Sequence, residues 1–81
     1  MIRDRIYEIA PDEEITVFSE DQLIKECNVA FKIIGYEPKN LENSVSEVFK
    51  STYKSSNLAD FILGVWLVDN AQNGGVSNAS E

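Results

Sequence analysis

Apolar residues recur at helical spacing in three stretches of this chain and crowd together without a polar face in a fourth. Ile2, Ile6 and Ile9 form the first stretch, and Pro11 makes helix unfavourable beyond Ala10. A short helix over residues 2–9 is predicted. After Pro11-Asp12-Glu13-Glu14, the β-branched, apolar Ile15-Thr16-Val17-Phe18 has the composition of a short strand. Ser19 followed by Gln22 has the form of a capping box, with Glu20 and Asp21 suited to the positive end of a helix. The predicted second helix covers 20–34. At 100° per residue, Leu23, Cys27, Ala30 and Ile34 share the centre of one face, flanked by Ile24 and Phe31 on one side and Ile33 on the other. That apolar arc approaches half the circumference, which calls for two packing neighbours. Gly35 is placed to cap the helix C-terminus, and Pro38 prevents continuation.

Asn40 is a suitable cap for a third helix reaching about Lys54. Leu41, Val45, Val48, Phe49 and Thr52 form its stripe, with Glu42, Glu47, Lys50 and Lys54 off it. Ser55-Ser56-Asn57 then breaks the pattern. The fourth segment, Leu58 to Val68, has no polar face. As a helix it points Phe61, Ile62, Val65 and Trp66 one way and Leu63 and Leu67 another; as a strand it would be buried on both faces. Its length and the Asn57 cap favour the helix. In either form it is the centre of the core or half of a dimer interface. The Asn/Gly/Ser-rich stretch from Asn70 to Glu81 reads as a mobile tail. The expected architecture is therefore all-α: a small orthogonal bundle of three or four helices over residues 1–70, with room for one short strand at 15–18, and a flexible polar tail at 71–81.

Hydrophobic residues make up 43% of the 81, enough to fold but only into one modest core. Seven basic residues against fourteen acidic ones give a formal charge of -7. Such a surface repels phosphate backbones and anionic lipid and attracts a basic partner. The acidity is local. Residues 11–21 hold Asp12, Glu13, Glu14, Glu20 and Asp21 with no base, whereas residues 22–57 hold five lysines against four glutamates. With no histidine and one cysteine, zinc sites of the usual kind, internal disulfides and histidine-based nucleophile triads are excluded. Cys27, on the most apolar face of its helix, reads as a buried structural thiol. No cofactor or metal site is expected. The opening Met1-Ile2-Arg3-Asp4-Arg5 lacks a secretory apolar stretch, and Leu58–Val68 is about half a membrane span. Cytoplasmic residence is the expectation.

Two resemblances bear on function. Asn28-Val29-Ala30-Phe31-Lys32-Ile33-Ile34-Gly35-Tyr36 followed by Val48-Phe49-Lys50 resembles the helix-turn-helix of bacterial transcription activators, which implies a DNA-binding regulator. The connection here is longer, and Glu42 and Glu47 stand where phosphate contacts need cations. Asn43-Ser44-Val45 is similar to the Asp-Ser-Leu signature of acyl carrier proteins, which are also acidic helical domains of this size. It lacks both the acid and the leucine. The reading that composition favours is non-enzymatic: a small acidic accessory protein that binds a basic protein, in one form as an inhibitor occupying the groove of a nucleic-acid-binding enzyme. Asp12, Glu13, Glu14, Glu20 and Asp21 would supply the electrostatics. Phe18, Tyr36, Tyr53 and Trp66 would supply apolar anchors or a homodimer contact.

Overall fold

The computed structural model describes residues 2–10, 12–51 and 57–75, with side chains through residue 71. Its order is set by α2, Glu20–Ile34, whose two ends are closed by local chemistry. At the start, Ser19 Oγ accepts from the Gln22 N–H at 3.2 Å while Gln22 Oε1 accepts from the Ser19 N–H at 2.8 Å, a reciprocal capping box. At the end, Gly35 takes φ 81°, where a β-carbon would be penalised. The Gly35 N–H then donates to Lys32 O at 3.3 Å and the Tyr36 N–H to Phe31 O at 2.8 Å. This is the Schellman arrangement, and its usual apolar contact is present as the Phe31 and Tyr36 rings, 5.2 Å apart and edge to face.

Helix α1, Ile2–Ile9, follows the predicted bounds and buries Ile6. Helix α3, Leu41–Phe49, starts at Asn40, whose side chain accepts from the Asn43 N–H at 3.3 Å. It ends before the expected Lys54. Ser51 turns both its N–H, at 3.0 Å, and its hydroxyl, at 2.6 Å, back onto Val48 O, which closes the helix in a tight turn. Thr52 and Lys54 lie outside the described residues. Helix α4, Leu58–Gly75, confirms the helical reading of the apolar segment. Asn57 caps it, accepting from the Asp60 N–H at 2.9 Å. The helix runs through residues 71–75, and residues 76–81 lie outside the described residues.

The strand expected at Ile15–Phe18 does not form. Ile15–Val17 is a single 3-10 turn, with the Phe18 N–H donating to Ile15 O at 3.0 Å. A strand needs a neighbour along its length, and among the described residues the segment has only a lone antiparallel bridge, from Glu14 to Asn57. Ile15 is buried and Val17 turns to solvent.

Among the described residues the fold is thus four helices with no sheet, consistent with an orthogonal bundle. The core is one cluster: Ile6, Ile15, Leu23, Cys27, Phe31, Val45, Val48, Leu58, Phe61, Ile62 and Val65, with Ala30 and Ala59. Helix α2 packs on α1, α3 and α4, three neighbours rather than two. Even so, Ile33, expected at the edge of its buried arc, is half exposed. Gly64 lies where α4 faces Val48 of α3, and a β-carbon there would make ordinary van der Waals contact with the Val48 methyls.

Candidate functional site

The acidic segment is held by its backbone. Glu13 O accepts from the Leu58 N–H at 2.6 Å, and Glu14 bridges Asn57, so the segment is stitched to the start of α4. Its side chains are free of that stitching: Asp12, Glu13 and Glu14 are all exposed. Glu20 and Asp21 occupy the first turn of α2, Asp21 exposed and Glu20 partly buried. Glu20 and Asp21 therefore stand at a helix N-terminus, where the macrodipole favours them. The ion pair found among the described residues, Arg5 to Glu8 at 3.0 Å, involves none of them.

The predicted aromatic anchors are placed differently. Phe18 is partly buried against the core, as are Tyr36 and Trp66, and Tyr53 lies outside the described residues. Tyr36 and Trp66 meet edge to face at 6.3 Å. Tyr36 follows the last turn of α2, whereas Glu20 and Asp21 open it; a fifteen-residue helix spans about 22 Å. Glu20 and Asp21 thus stand at the opposite end of that helix from Tyr36, whereas Asp12, Glu13 and Glu14 lie beside the start of α4. The Trp66 indole nitrogen is buried with no hydrogen-bond partner among the described residues.

What holds the Tyr36 end together is Asp69, a residue the apolar pattern did not mark. It is fully buried in α4. One carboxylate oxygen accepts from the Tyr36 hydroxyl and from the Lys39 N–H at 2.7 Å; the other accepts from the Asn40 N–H at 2.9 Å and the Ser44 hydroxyl at 3.0 Å. Burial pushes this carboxyl up, but the Tyr36 hydroxyl, the Asn40 and Lys39 amides and the Ser44 hydroxyl outweigh it and hold it below the ordinary carboxylate range. Burial, together with the bond to Asp69, raises Tyr36 in return. Asp69 is in effect a second cap on α3 supplied from α4. No sequence period marks it, because its donors come from residues 36, 39, 40 and 44.

A second tyrosine–aspartate bond ties α1 to α4, with the Tyr7 hydroxyl donating to Asp60 and its own pKa raised by that bond. Cys27 is buried, and desolvation, with the Glu26 charge adding to it, pushes the thiol up to about 12. It is a protonated packing group at neutral pH. Among the described residues, no three Asp, Glu or Cys side chains converge as metal ligands, and no helix is long and apolar enough to cross a membrane.

In comparison with known proteins, the chain matches no family model, no curated protein and no solved structure.

Proposed function

We propose that the chain is a non-enzymatic, acidic accessory protein that binds a basic protein, with Asp12, Glu13 and Glu14 as the electrostatic part of the contact. The observation that carries this is a contrast within the segment. Its backbone is fixed to α4, while its three consecutive carboxylates are exposed and make no ion pair among the described residues. A fixed cluster of like charge attracts a basic surface over about 10 Å at ordinary ionic strength and speeds encounter. The net charge of -7 supports the same direction, and an inhibitor seated in a basic groove is the form that charge and small size favour. Self-association is the second part of this reading, because Leu67 of α4 stays half exposed.

The DNA-binding alternative has less support. Glu42, Asn43 and Glu47 are exposed on α3, and the Asn43 amide donates to Glu47 at 3.2 Å, so that helix offers acids to a phosphate backbone. The carrier-like alternative has less still, since Ser44 is buried with its hydroxyl on Asp69.

Wild type and the D12N/E13Q/E14Q variant, immobilised side by side, test the proposal by capture at low and high salt. The expected result is a basic protein retained by wild type at low salt, released by salt and largely lost on the variant. A partner held equally by both proteins would overturn the electrostatic role of the segment, and recovery of DNA would move support to the regulator.

A further inference from the structure

Two copies of a chain with charge -7 repel each other unless they meet where the local charge cancels. Helix α1 is such a place. It carries both arginines of the chain, Arg3 and Arg5, against Asp4 and Glu8. Arg5 is paired with Glu8, whereas Arg3 and Asp4 make no ion pair among the described residues. Both border a groove between α1 and α4 with room for about 480 Å³, whose apolar lining is Ile2, Leu63, Trp66 and Leu67. Eight residues of α1 cover about 12 Å of an eighteen-residue helix about 27 Å long. Leu67 is left 49% exposed as a result.

We infer that this groove is where two copies of the chain associate about a two-fold axis, with Arg3 of each copy paired to Asp4 of the other. The inference rests on the self-association reading and is independent of the acidic segment. A two-fold contact must be complementary to itself. Neighbouring positions on one helix meet that condition when two copies of α1 cross antiparallel between residues 3 and 4, which sets each cation against an anion. A uniformly basic partner would be opposed by Arg3 and a uniformly acidic one by Asp4, so a second copy is the occupant that satisfies both. The apolar floor then contributes the burial, and the charges fix the register.

Sedimentation equilibrium of wild type, R3D, D4R and an equimolar mixture of the two variants tests this, with circular dichroism to confirm that each is folded. Wild type should dimerise in the micromolar range. Each reversal alone places like charges together twice per dimer and should weaken association about tenfold. The mixture should recover it, because the two variants carry opposite signs at both pairs. Failure of the mixture to recover, or a dimer indifferent to both reversals, would overturn this surface while leaving self-association in place. A wild-type monomer at high micromolar concentration would overturn both.

Discussion

Asp69 and the Asp12–Glu14 segment carry the same functional group in opposite surroundings. The Asp69 carboxylate is fully buried and accepts from four donors, two hydroxyls and two backbone amides. The three carboxylates of the acidic segment are exposed and paired with no cation among the described residues. An ionised group taken out of water must be repaid by nearby donors, and once repaid it becomes a fixed point of the fold. An ionised group left in water costs the fold little and is available to another molecule. Which acids serve the fold and which are left to the solvent is therefore decided by the count of donors around each, and charge along the sequence does not reveal it.

The largest effect that can break this comparison is Asp69→Ala. It strands two hydroxyls and two amides at once, and a loss of about 3 kcal/mol or more is expected, a large part of the stability of so small a domain. Urea unfolding checks it. A loss below about 1 kcal/mol would mean that water replaces the carboxylate without difficulty and that the node is not a fixed point.

Acid gives the next largest effect. The folded pKa of Asp69 lies below its ordinary value of 3.8, so its contribution is complete above that value and is lost as pH falls through the folded one. Wild type should lose more stability than Asp69→Asn below about pH 4 and should exceed it by a constant margin near neutrality. Parallel pH profiles for the two proteins would show that Asp69 is not the titrating group.

Tyr36→Phe removes one donor of the four and leaves the ring against Phe31 and Trp66. It should cost about 1 kcal/mol, read as a small fall in melting temperature, because the remaining three donors still satisfy the carboxylate. The smallest effect belongs to the other side of the comparison. D12N/E13Q/E14Q should change stability by less than about 0.5 kcal/mol, since exposed charges contribute little, while altering the salt dependence of partner binding. A marked stabilisation or destabilisation would show that the segment serves the fold as well as a partner.

The parts of this molecule that were legible in the sequence are those whose causes are local. Ser19 with Gln22 and Gly35 with Tyr36 lie within a few residues of the ends they close, and α2 begins and stops where they predict. The apolar crowding of α4 gave its helix for the same reason, since length and the Asn57 cap are both sequence features. The end of α3 was less legible, because it turns on one serine hydroxyl competing for Val48 O rather than on a strong breaker such as Gly or Pro. The strand at Ile15–Phe18 failed because β composition means nothing without a partner strand, and partners are a property of the whole fold. The node at Asp69 was out of reach for a related reason. Its donors come from residues 36, 39, 40 and 44, some thirty positions away, and no periodicity joins them. The acidic triplet is exposed, as a charged loop is expected to be, and the length of α2 separates Tyr36 from Glu20 and Asp21.

The cap that α4 lends to α3 also bears on the order in which the chain can open. A nine-residue helix is too short to persist alone in water. Two amides beside its first turn, those of Lys39 and Asn40, are bound to a carboxylate on another helix, so opening that end of α3 breaks its contact with α4 as well. Local fraying at that end is then replaced by joint release of α3 and the second half of α4. The amides of residues 39 and 40 should exchange with deuterated solvent at the slow rate of the core rather than the fast rate of a loop, although both lie outside any helix.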